Sequence, residues 1–213
     1  MIASHPTALI ADVKGSRQIE NWPEVFDVLK KTLRDANKRF ADQILVKFAP
    51  TVGDEFQGAL KSPEKAYDVY TFIKASLPVP IYCGLGIGEV EVTAAGSAGL
   101  RGTAFYRARE ALEVCKQEKG FLRVRLADAM GLTQKVLNVT LHLLEALEQQ
   151  WTSRQRELVQ WALLYPQWTQ EELAAQLGVS QPDVAKIRRA AHFGPYREGM
   201  ELARSLITQP QSS

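Results

Sequence analysis

Residues 81–90, Ile-Tyr-Cys-Gly-Leu-Gly-Ile-Gly-Glu-Val, put Ile81, Cys83, Leu85 and Ile87 at alternate positions, with Gly84, Gly86 and Gly88 between them. Alternation at period two predicts a strand, and three glycines on one side leave that side smooth enough for another group to lie close to the sheet. That group is either a tightly packed helix or a nucleotide base or ribose, and in the second case Gly86 is the contact. The rest of the first half supplies what such a strand needs. Leu9 to Val13, Ile44 to Phe48, Phe56 to Leu60 and Gly120 to Leu126 read as further short strands. A helix opens at Asn21-Trp22-Pro23-Glu24, with Val25, Val28, Leu29, Leu33, Ala36 and Phe40 inward. A second follows Ser62-Pro63-Glu64 to about Ser76, with Ala66, Val69, Tyr70 and Ile73 inward. A third spans Thr103 to Lys119, packing through Ala104, Ala108, Ala111, Leu112 and Cys115, after a Gly- and Ala-rich loop at Ala94 to Gly102.

Two of these strands carry acids. Asp12 interrupts the apolar run Leu9-Ile10-Ala11-Asp12-Val13, where a carboxylate is costly unless a cation or donor meets it. Pro50 to Asp54 reads as the turn of a hairpin that presents Asp54 and Glu55 at its tip. If the strands are neighbours, Asp12 and Asp54 converge, and oxygen ligands of this kind favour Mg2+ or Mn2+ over zinc. Glu55 is the third candidate ligand or an orienting group. The loop Lys14-Gly15-Ser16-Arg17 follows Asp12 directly. It is either a solvated connection or a phosphate cradle, since glycine permits close backbone approach and its neighbours offer donors. Gly53 in the hairpin turn, Arg101, Arg107, Arg109 and Lys116 complete the candidate nucleotide contacts, although cations on a helix are commonly a solvated face.

Val52-Gly53-Asp54-Glu55-Phe56 resembles the GGDEF hairpin of nucleotide cyclases, with valine in place of the first glycine. Asp12 stands where class III and GGDEF-type cyclases carry their first metal aspartate. The resemblance implies a ferredoxin-like palm, βαββαβ, and hence an α+β fold. Class III cyclases place an Asn and, four residues on, an Arg early in the third helix; with Gly102 aligned on their glycine, those positions hold Tyr106 and Glu110. That departure favours metal and nucleotide binding over turnover. Over the whole chain, the Asp12 to Arg17 and Gly53 to Gln57 segments, followed by a helical region, are most similar to the SatD family.

Beyond Leu132 the pattern becomes helical throughout. Leu132 to Trp151 carries Val136, Leu137, Leu141, Leu144 and Leu147 on a broad apolar face that suits a connecting helix and a homodimer seam. A helix from Thr152 to Leu164 follows. Thr169 with Glu172 then forms a capping box, Gly178 permits a tight turn, and Ser180 caps the next helix. The segment Thr169 to Arg189 resembles a helix-turn-helix of the sigma-factor region 4 type. That reading turns Val184, Ile187 and Ala191 inward, brings Gln181 and Lys186 to base edges, and sets Arg188 and Arg189 on phosphates of duplex DNA. Such bundles also serve packing and dimerisation. Phe193-Gly194-Pro195 ends the unit, and a last helix runs to about Ile207. The organisation expected is a palm domain over 1–128, a connecting helix over 129–151 and an all-α helix-turn-helix domain over 152–213.

With net charge +2, 46% hydrophobic and 23% charged residues, the chain has the balance of an ordinary globular protein and no overall attraction to polyanions. It shows neither an N-terminal targeting pattern nor an apolar run long enough to span a bilayer, and Cys83 and Cys115 are isolated. Cytoplasmic residence with reduced thiols and no membrane partner is therefore expected. The leading reading is a regulator that binds a divalent ion with a nucleoside triphosphate, cyclic nucleotide or dinucleotide, and that binds DNA through its helical part. The alternatives are a two-metal nucleotidyl cyclase or nucleotidyltransferase, and a degenerate palm that acts as an interaction scaffold.

Overall fold

The computed structural model describes residues 5–92, 100–127 and 130–209. Its first half runs β1 (Thr7–Val13), α1 (Trp22–Arg39), β2 (Ile44–Pro50), β3 (Glu55–Leu60), α2 (Ala66–Ser76) and β4 (Ile81–Ile87). A small ribbon of β5 (Glu91–Val92) and β6 (Leu100–Arg101) then leads to α3 (Thr103–Gln117) and β7 (Leu122–Arg125). The main sheet has the order β2-β3-β1-β4-β7, antiparallel except for the β4–β7 pair. Its first four strands thus show the βαββαβ succession and strand order of a ferredoxin-like palm, within a mixed α+β molecule. Most of the loop expected at Ala94 to Gly102 lies outside the described residues.

Strand β1 is covered on both faces, which explains a run of apolar residues with no polar alternation. Leu9, Ala11 and Val13 face the larger core with Cys83, Leu85 and Ile87, beneath α1 and α2. Ala8 and Ile10 face α3, whose Ala104, Ala108 and Leu112 close the other side. Buried leucines such as Leu29, Leu33 and Leu60 each contribute about 1.5–3 kcal/mol by leaving water. Val28, expected inward, is 38% exposed, because Phe26 rather than Val28 lies on the stripe that continues through Leu29, Leu33 and Ala36. Cys83 and Cys115 are buried free thiols, and burial pushes both up, Cys115 to about 11.

The second half consists of α4 (Gly131–Gln150), α5 (Ser153–Leu164), α6 (Gln170–Leu177), α7 (Gln181–Ala190) and α8 (Phe193–Thr208). Thr169 and Thr152 each head a complete capping box, with Glu172 and Gln155 answering. Gly178 takes φ 64 at the end of α6, and the Ser180 hydroxyl accepts from Asp183 N to start α7. The last helix begins at Phe193 rather than after Pro195, since a proline within the first turn removes only an N–H that has no helical partner.

Helix α4 packs along β7 and α8, and α5 packs on α2. Leu137, Leu141, Leu158, Tyr196 and Ile207 belong to the same buried cluster as Leu9 and Val69. The buried cluster that includes Leu9 and Val69 thus also takes in residues of α4, α5 and α8. On α4, Leu137, Leu141 and Leu144 face inward, whereas Leu132, Val136, Val139 and Leu143 form an exposed stripe. Among the described residues no helix is long and apolar enough to cross a membrane.

Candidate metal and nucleotide site

Strand register puts Asp12 opposite Glu55 on β3 and Tyr82 on β4, next to the end of β1. The turn between β2 and β3 is tied by Thr51, whose backbone N donates to Glu55 O at 2.8 Å, and by Gly53 at φ 70. It delivers Asp54 to the end of β1, where Val13 N donates to Asp54 O at 3.3 Å. The two side chains meet within hydrogen-bonding reach. Burial pushes the Asp12 carboxyl up, and neighbouring Asp54 adds to this against the pull of Lys116. Burial pushes Asp54 up as well, but hydrogen bonds from Ser16 and Asp12 outweigh it and hold Asp54 below the ordinary carboxylate range. Gly15, left-handed at φ 65, turns the chain so that the Ser16 hydroxyl donates to Asp54 Oδ2.

Helix α3 supplies the positive side of the pocket. Arg109 and Lys116 lie seven residues apart, hence on one helical face, and that face lies over the acids. Lys116 Nζ pairs with Asp12, and Arg109 grips both oxygens of Glu55, with Nη2 to Oε1 at 2.7 Å. Asp12, Asp54, Ser16, Glu55, Arg109 and Lys116 thus form one polar cluster at one end of the sheet.

Other expected contacts lie elsewhere. Lys14 swings its ammonium away from the acids, to Gly120 O and to Lys119 O at 3.4 Å. Arg17 and Arg101 are exposed, and Arg107 donates to Ile87 O at 2.7 Å. Gly53 has open space around its Cα. Gly86 faces helix α3. A Cβ there would meet Ala104 O and Ala108 N closer than 3.0 Å, so helix backbone covers the glycine face. Tyr106 is 65% exposed, and Glu110 pairs with Arg125 at 3.5 Å. Lys116, expected among the nucleotide contacts, is the cation beside Asp12.

Among the described residues no group of three His, Cys, Asp or Glu side chains is arranged to hold a metal. A Mg2+ ion commonly keeps several waters and takes one or two carboxylates together with substrate phosphates. Asp12 and Asp54 fit such an ion once Lys116 gives way. A three-acid set that includes Glu55 does not fit, because Arg109 occupies both of its oxygens.

The family model described as the SatD family matches residues 7–207, nearly the whole described chain. The chain belongs to the SatD family. No curated protein matches this SatD-family chain. Among solved structures, an adenylate cyclase from Trypanosoma brucei in its monomeric state is 16% identical, with 51% of this chain and 69% of that chain covered at a TM-score of 0.39. A bacterial light-regulated adenylyl cyclase is 13% identical over 57% of this chain and 75% of that chain, also at 0.39. At such identities the likeness concerns the fold alone.

Proposed function

We propose that the palm half binds a divalent cation, Mg2+ or Mn2+, together with a nucleotide at the Asp12–Asp54 pocket. The observation that carries the reading is the meeting of two carboxylates from separate elements beneath a helix face bearing Arg109 and Lys116. Lys116 and Ser16 hold the two carboxylates together in the chain itself, and a divalent ion would take the place of Lys116 as their shared partner. Asp12 and Asp54 would hold the ion. Lys116, released from Asp12, and Arg109 would face the phosphates, and Ser16 would keep Asp54 oriented. The bound ion would neutralise phosphate charge and polarise a phosphoryl oxygen. Binding is favoured over turnover because Tyr106 and Glu110, at the positions where class III cyclases carry Asn and Arg, point to solvent or to Arg125.

Calorimetric titration of the full chain with ATP or GTP in the presence of Mn2+ is expected to give binding that Asp12→Asn and Asp54→Asn each weaken at least tenfold, about 1.4 kcal/mol. No heat with any combination, or wild-type affinity in Asp54→Asn, removes the reading. Asp54 lies below its ordinary range, so the fold favours its anion and loses that stabilisation as pH falls. Asp54→Asn is therefore expected to lower stability in metal-free buffer, and a rise would favour the scaffold alternative.

For the helical half we propose contact with duplex DNA through α7, on which Gln181, Lys186 and Arg189 are exposed. Arg188 is partly withdrawn, its guanidinium 4.9 Å from the centre of the Phe193 ring, and so adds less to that surface. In a mobility-shift assay at low salt, Lys186→Ala with Arg189→Ala should weaken binding to random duplex and flatten its salt dependence. Absence of any shift with the wild-type chain ends this part of the proposal.

A further inference from the structure

A second pocket lies where the palm meets the helical half, a cleft of about 490 Å³ between α2, the start of β4, and helices α4, α5 and α8. Its walls are aromatic: Tyr67, Tyr70, Trp151 and Tyr196 are each less than a tenth exposed, and Phe121 closes one end. Two ammonium groups lie close to Phe121, Lys14 at 4.1 Å and Lys74 at 4.6 Å from the ring centre. Lys14 is also 4.3 Å from the centre of the Tyr82 ring.

Only one of these cations has a matching acid. Buried Glu148 takes Lys74 and accepts from Tyr196 Oη at 2.5 Å. Lys14 has only the carbonyls of Lys119 and Gly120, and among the described residues it forms no ion pair. Glu145, the next acid, is committed to Arg123 and to the backbone N–H groups of Phe121 and Leu122. The cleft therefore combines aromatic walls with two cations that, among the described residues, no acid pairs: Lys14 and, on the exposed side, Arg156, which donates to the carbonyls of Glu148 and Trp151. An apolar pocket between structural units with a few converging polar groups is the general form of a small-molecule site.

We propose that this cleft binds a small planar aromatic carboxylate, with its ring among the aromatic walls and its charge at Lys14. The site is separate from the acid pocket: Lys14 and Ser16 belong to one loop but turn to opposite sides of it. The proposal does not rest on the metal and nucleotide reading.

The test uses the full chain in EDTA, titrated with 1-naphthoate, 1-naphthalenemethanol and 1-naphthylmethylamine as probes. Naphthoate is expected to bind at least tenfold more tightly than the alcohol, and the amine more weakly than either. Lys14→Met should lower the acid-to-alcohol ratio, while Thr71→Trp, at a residue lining the cleft, should weaken both. Equal affinity for acid and alcohol in the wild-type chain, no binding of any probe, or naphthoate affinity unchanged in both variants would overturn the proposal. The wild-type comparison decides even if a variant fails to fold. Because metal is absent, failure here leaves the Asp12–Asp54 reading standing.

Discussion

Gly86→Ala is expected to cost the protein about 3 kcal/mol or more, at the upper end for overpacked cores, and to leave it partly unfolded. The added Cβ would press on Ala104 O and Ala108 N, which are backbone atoms and have no rotamer to change. Relief requires α3 to move off the sheet. That movement would open the packing of Ala108 and Leu112 on Ile10 and draw Lys116 and Arg109 away from Asp12 and Glu55. Gly53→Ala is the control. Its new Cβ meets nothing within 4 Å, so only the strain of φ 70 remains, about 1–2 kcal/mol. Urea denaturation of the two variants separates the cases. A Gly86→Ala protein as stable as wild type would show that α3 does not cover the strand, and would restore the possibility of a nucleotide lying there.

Glu145→Ala should be comparably damaging, with a loss of about 3–5 kcal/mol, the usual result of stranding a buried charge. Glu145 is 5% exposed, and its Oε1 accepts from Phe121 N at 2.6 Å, Leu122 N at 2.9 Å and Arg123 Nη1 at 2.9 Å. Without it, the guanidinium of Arg123, itself 4% exposed and already carrying one Nη2 with no partner, keeps only the half-exposed Glu118 and the Leu122 carbonyl. Two backbone donors at the start of β7 also lose their acceptor. Glu145→Gln keeps an acceptor oxygen and should cost less. The double variant Arg123→Met with Glu145→Met should recover part of the single loss but not all of it, because the Phe121 and Leu122 N–H groups stay unanswered. Full additivity in thermal or urea unfolding would mean that the two residues do not act as a pair.

The meeting of Asp12 with Asp54 was legible because it depends on local chemistry: a lone acid in an apolar strand, and a Gly-Asp turn that hands its acid to the neighbouring strand. The fate of Glu55 was not legible. Its partner Arg109 lies 54 residues away on a helix, and nothing in the spacing of either segment states that α3 crosses the sheet above the hairpin. The glycine strand showed the same limit, since period two announced a smooth face without saying what would cover it. For Lys14, its place in a glycine-bearing loop directly after Asp12 suggests a phosphate contact. Its side chain instead points to Gly120, a destination set by where β7 enters the sheet. Secondary structure in the helical half followed from caps and turn residues, whereas its seating on α2 depends on contacts such as Arg204 with Asp68, which no local pattern reveals.

That seating has a consequence for biosynthesis. Asp68 and Arg204 are 136 residues apart, so α2 leaves the ribosome long before the helix that seals it. At about 5–20 residues per second, the interval is on the order of ten seconds. For that time Tyr67 and Tyr70 remain open to solvent and to whatever chaperone attends the nascent chain, and the aromatic cleft between the halves is among the last features of the molecule to take shape.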